Sequence, residues 1–227
     1  MSKALSNKSA QSTVIKRSGR RTVGVFVDGP GLDRATRRLN KRIDFSQLLR
    51  GVSSGSQAVV ARYYTVIPRE DDSRHYAYLD AVRAAGFQVV VKRLPPKGVT
   101  RNVTIEPEMV ADIIAFGFGL TQFPDNLEIS DESMAHRRTG PRAPETPEAT
   151  EAEGSGASGA TGASRSGERR QVTVVCPSRE LAYPLWLLGE SGIDTMTADF
   201  GSYMSGDVMK SAAKWLDLSD SEIIWRP

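Results

Sequence analysis

The run Val23-Gly24-Val25-Phe26-Val27 is closed at once by Asp28-Gly29-Pro30-Gly31, and these nine residues set the fold class. An apolar stretch of this length has no helical period, and it stops at residues that favour a turn. It predicts a short strand buried on both faces, followed by a tight turn. The unit then repeats along the chain. Ala58–Val66 (AVVARYYTV), Phe87–Lys92 (FQVVVK), Val172–Cys176 (VTVVC) and Asp194–Ala198 are further strand candidates. Between them lie helical pieces at Asp33–Leu39, Phe45–Leu49, Ser73–Ala85, Pro107–Phe116 and Arg179–Leu188, and a last helix is predicted around Ser205–Trp215. Strands that alternate with helices predict an α/β fold, a parallel sheet with helices on both faces. In such sheets the ligand crevice lies outside the carboxyl ends of the strands. That directs attention to the residues just after Val27, Thr65, Lys92, Cys176 and Ala198.

The bulk composition narrows the function classes. The chain has 227 residues, 39% hydrophobic and 25% charged, enough for one medium domain with tails. A net charge of +3 and a pI near 9.1 permit a polyanionic partner without demanding one. The single cysteine, Cys176, excludes an intramolecular disulfide. The basic N-terminus is followed by no apolar secretory core, and no run approaches the roughly 18–20 apolar residues of a membrane span. The expectation is a soluble cytoplasmic protein. His75, His136 and Cys176 lie far apart in sequence, which argues against a structural zinc site and a histidine-activated nucleophile. Chemistry, if present, falls to carboxylates.

The chain divides by composition. Residues 1–21 read as a basic flexible arm. Residues 22–117 and 171–218 carry the globular pattern, and 219–227 form a short tail. Between the halves, residues 118–170 hold a Pro/Gly/Ser-rich stretch with Glu145, Glu148, Glu151 and Glu153 and almost no large apolar side chains. Such a segment cannot offset the entropy of ordering, so a disordered insertion is predicted. It offers a tether for a protein partner. A homo-oligomer is equally compatible with the sequence.

Four carboxylates fall where the crevice rule points. Asp28 directly follows the first strand. Glu106 opens the helix after the third strand, and Asp112 lies six residues on, in an otherwise apolar stretch. Glu180 follows the fourth strand. Each has an ordinary explanation: Asp28 as a turn aspartate capping backbone, Glu106, Glu108 and Glu180 as acids favoured at helix N-termini. Asp112, beyond the first helical turn, is the least easily explained. Placed together, such acids would suit a hard divalent cation.

The order FVDGPGL, ARYYTV, AVRAAGFQVVVKRL, EPEMVADIIAFG, VTVVCPSRELAYPLWLLGESGIDT resembles the NYN domain, in its LabA-like bacterial branch, of the PIN-like ribonucleases. The resemblance implies a Rossmannoid, PIN-like fold and a Mg²⁺- or Mn²⁺-dependent endoribonuclease acting on RNA, with Asp28, Glu106, Asp112 and Glu180 as metal ligands and catalytic groups. Asp28 and Asp112 match the family pattern, while glutamates stand at 106 and 180. Gly31 stands where the family has asparagine, and Ser178 where it has a further aspartate. Lys92, Arg93, Lys97 and Arg101, on the loop before the acidic helix, and Arg179 are the candidate RNA contacts. The alternative is a member that kept the fold and lost the reaction, serving as an RNA- or protein-binding module.

Overall fold

The computed structural model describes residues 21–53, 55–68, 73–95, 102–129, 169–201, 205–219 and 224–225. Seven strands form one all-parallel sheet: β1 (Arg21–Asp28), β2 (Ala58–Ile67), β3 (Gln88–Arg93), β4 (Glu128–Ile129), β5 (Arg169–Val175), β6 (Asp194–Asp199) and β7 (Lys214–Asp217). Their order is β4-β3-β2-β1-β5-β6-β7. The chain winds outward from β1 to β4, then returns beside β1 and winds outward the other way. The direction reverses between β1 and β5, and a crevice opens at such a switch point.

Alternation along the strands assigns each face its helices. Val23, Val25 and Val27 of β1 pack with α1 (Gly29–Leu39), α2 (Phe45–Val52) and α3 (Ser73–Ala84) through Leu32, Leu48, Val52, Leu79 and Val82. Phe26, Val60, Tyr64, Val90, Val172 and Val174 point the other way. They meet Met109, Ile113 and Phe116 of α4 (Glu106–Gly117), Leu185 and Leu188 of α5 (Ala182–Glu190), and Val208 of α6 (Gly206–Ser211). Gly24 leaves room for the Phe116 ring, since a Cβ there would lie 2.6 Å from it. Asp44 caps α2, taking the Gln47 N–H at 3.0 Å. Asp44→Ala should cost about 1 kcal/mol, read as a lower urea midpoint.

The sequence expectations hold for the fold class and for five of the six helical pieces, and three details differ. The helix predicted around Ser205–Trp215 ends at Ser211, and Lys214–Asp217 instead extends the sheet as β7 beside β6. Trp215 and Trp186 are about half exposed. The stretch assigned to the insertion is also partly built into the domain. Leu127 accepts from Val91 N–H, Asn126 Oδ1 accepts from Val89 N–H at 3.1 Å, and β4 adds an edge strand to β3. Residues 130–168 lie outside the described residues, as does the arm at 1–20. Within the stretch read as a tail, Ile224 is buried and Trp225 stacks on Phe200.

Candidate acidic site

Asp28 ends β1 and is also the N-cap of α1, so one residue closes the strand and opens the helix. Its Oδ1 accepts the Gly31 N–H at 2.9 Å. This is the turn-capping role that any aspartate before Gly-Pro-Gly could play. Its Oδ2 is buried without a hydrogen-bond partner, and the residue is only 2% exposed. Burial pushes the carboxyl up to about 6, against relief from the Gly31 N–H, Arg34 and, more weakly, the Ser178 backbone N–H, with Glu106 adding to the rise. Ser178, just past β5, also bears a buried, unpartnered hydroxyl.

Gly31 is dictated by β5. A Cβ there would run into the backbone carbonyl of Cys176, which itself adopts φ 51°. The asparagine of the family pattern therefore has no room in this backbone. The Cys176 thiol is held with Asp199, the buried last residue of β6, and burial pushes that thiol well above its ordinary range. It is a poor nucleophile.

Asp112 has its own partners. From the second turn of α4 it meets two residues of β2. Its Oδ2 accepts the Tyr64 hydroxyl at 2.8 Å and sits 3.1 Å from Arg62 Nε, an ion pair not aligned as a hydrogen bond. Burial raises the Asp112 carboxyl, opposed by the Tyr64 hydroxyl and Arg62. Glu108, one turn earlier, takes Lys92 Nζ on Oε1 at 2.6 Å. Glu180 occupies a 3₁₀ turn, Arg179–Leu181, and is exposed.

The four predicted ligands are thus not gathered as one centre. Asp28 and Glu106 are close enough to feel each other's charge, and Asp112 feels Glu108 and Arg62. Among the described residues, no three acidic, histidine or cysteine side chains converge as a metal would require. A hard cation needs several oxygens at one point. The unpartnered Asp28 Oδ2 is one, and Asp112 has already been given a cation. The residues present do not fit the four-carboxylate centre.

Of the predicted RNA contacts, Lys92 and Arg93 are largely covered and paired, and Arg179 is exposed in a surface ion pair. Lys92 holds Glu108, Arg93 pairs with Glu128 and donates to the Tyr76 hydroxyl at 2.6 Å, and Arg179 lies 3.1 Å from Asp207. Lys97 and Arg101 lie outside the described residues. Two arginine features escaped the sequence reading. Arg62 is 1% exposed in the middle of β2. The other is the segment from Asp33 to Arg42, with Arg34, Arg37, Arg38, Lys41 and Arg42 against one acid, all five cations exposed. Its sequence signal is a charge run placed directly after Asp28, where the switch point lies.

The NYN domain model matches residues 22–125. This match covers a little under half of the chain and identifies an NYN domain over those residues. NYN domains belong to the PIN-like nuclease superfamily, whose members are generally divalent-metal dependent. A crystal structure of a protein of unknown function from Vibrio parahaemolyticus resembles the whole architecture, with a TM-score of 0.60 at 10% identity. That likeness covers 96% of this chain and 100% of the other, and it supports the fold alone. No curated protein matches the chain. Among the described residues no helix is long and apolar enough to cross a membrane.

Proposed function

We propose that this NYN domain is an RNA-binding module that has kept the nuclease fold without a working metal centre. The observation that carries the reading is the engagement of Asp112, whose Oδ2 is shared between the Tyr64 hydroxyl and the Arg62 guanidinium. Grip on RNA falls to the exposed cations of α1 and the turn after it, which begin beside the crevice at Arg34. Arg34 and Arg38 lie one helical turn apart on α1, and Arg42 follows beyond the left-handed cap at Asn40; such cations engage phosphates by charge and not by base.

The test is binding of a labelled single-stranded RNA to the full chain in EDTA and in Mn²⁺. Equal affinity in both is expected, falling steeply with salt. Arg34→Glu combined with Arg38→Glu should weaken binding at least tenfold and flatten the salt dependence. Unchanged binding by that pair of substitutions would end the assignment to α1, and binding seen only with Mn²⁺ would end the module reading.

A second reading keeps the metal-dependent endoribonuclease, with Mg²⁺ or Mn²⁺. It is favoured by the unpartnered oxygen of Asp28 and the neighbouring Glu106. The two readings divide over hydrolysis.

A further inference from the structure

We propose that the Arg62 guanidinium is the resident cation of this acidic site, neutralising Asp112 from inside the sheet in place of a divalent ion. The inference rests on the reading above, and it explains how an acidic helix can be folded against a sheet with no metal.

Arg62 is an improbable residue for its position. It sits mid-strand in β2 between neighbours that are almost all buried, and it is itself 1% exposed. An arginine so placed needs counter-charge and hydrogen bonds on every side, because an unpaired buried charge is very costly. The structure supplies the counter-charge and two hydrogen bonds, while Nε has an ion pair and no aligned hydrogen bond. Nε lies 3.1 Å from Asp112 Oδ2. Nη1 donates to Gln88 Oε1 at 3.3 Å and to the Pro124 carbonyl at 3.2 Å. The guanidinium carbon lies 4.9 Å from the Phe123 ring centroid and 5.9 Å from that of Tyr64. Guanidinium planes suit such a mixed aromatic and carboxylate cage, being weakly hydrated and permanently charged.

Two acids of α4, Asp112 and Glu108, are answered by two bases of the sheet, Arg62 and Lys92, while Glu106 lies near Asp28. A divalent ion approaching Asp112 Oδ2 would meet a fixed positive charge already 3.1 Å from the same oxygen. Repulsion at that range opposes entry of the ion more strongly than it would in water. Arg62 also joins α4 to the segment at Phe123 and Pro124.

The experiment is Mn²⁺ titration of the full chain, without RNA, followed by the loss of free-ion electron paramagnetic resonance signal. Four forms are compared: the parent, Asp112→Asn, Arg62→Met and the Arg62→Met/Asp112→Asn pair. Leaving RNA out keeps the result separate from the RNA-binding reading, which can fail on its own. Asp112→Asn should leave Mn²⁺ affinity within twofold of the parent, because Asp112 is not available to the ion. Arg62→Met should gain at least tenfold in affinity, and the added Asp112→Asn should erase that gain. A tenfold loss in Asp112→Asn alone would overturn the proposal, since Asp112 would then be a ligand despite Arg62. A folded Arg62→Met with no gain would overturn it too. Should Arg62→Met fail to fold by near-ultraviolet circular dichroism, the comparison of parent with Asp112→Asn decides: equal affinity upholds the proposal and a tenfold loss ends it.

Discussion

Arg62→Ala is expected to destabilise the fold by about 3 kcal/mol or more, the range found when one partner of a buried ion pair is removed. Three losses add up. Asp112 keeps its charge in a partly buried place, the Pro124 carbonyl loses its donor, and a hole opens between Tyr64 and Phe123. Guanidinium unfolding followed by tryptophan fluorescence reads the effect as a lowered midpoint. Adding Asp112→Asn to Arg62→Ala should restore about 1 kcal/mol by removing the stranded charge, a coupling expected of groups in contact. A loss below about 1 kcal/mol in the single variant would show that Arg62 is not buried and paired as described.

Asp28→Asn carries the opposite sign. The folded carboxyl titrates at about 6 and the unfolded one near 3.8, so the folded state binds the proton more tightly. Between those values the folded chain holds more protons than the unfolded one, and stability from this group falls as pH rises. Above pH 7 the cost is about 3 kcal/mol. Asparagine keeps the oxygen that caps Gly31 and removes the buried charge. The variant should be more stable than the parent by about 2 kcal/mol at pH 7.5, an advantage that shrinks toward zero below pH 4. Lower stability of Asp28→Asn at pH 7.5 would mean that something holds the charged carboxylate in place.

Much of the architecture was legible because parallel sheets bury their strands on both faces. That leaves continuous apolar runs such as those at β1, β2, β3 and β5. The place of Asp28 at the carboxyl end of β1 was legible as well, since it directly follows the first of those runs. What escaped depends on local competition. Lys214–Asp217 pairs with β6 as an edge strand, and nothing in four residues distinguishes that from a frayed helix. The two residues of β4 gain their place from Asn126 and Leu127, whose hydrogen bonds to β3 have no sequence signature.

The site was legible in its parts but not in its pairing. Asp112 stood out as an acid in an apolar helix, and Arg62 was the matching oddity, a lone charge in an apolar strand. Two such residues in facing elements are better read as partners than as a ligand and a bystander, because neither can be buried alone. Lys92 and Glu108 offered less, since their meeting depends on how α4 is rolled against β3. Gly31 could be seen as a departure from the family pattern, but its cause, the Cys176 carbonyl, lies 145 positions away in the chain and appears only in three dimensions.

The central claim is that fold and reaction have parted company in this NYN domain, and hydrolysis itself tests it most directly. Full-length protein would be incubated with single-stranded and hairpin RNA in millimolar Mn²⁺, beside an Asp28→Asn, Asp112→Asn control, with the products resolved on a denaturing gel. The account predicts intact RNA in every lane, with parent and control indistinguishable. Fragments that appear with the parent, need Mn²⁺ and vanish in the control would contradict it.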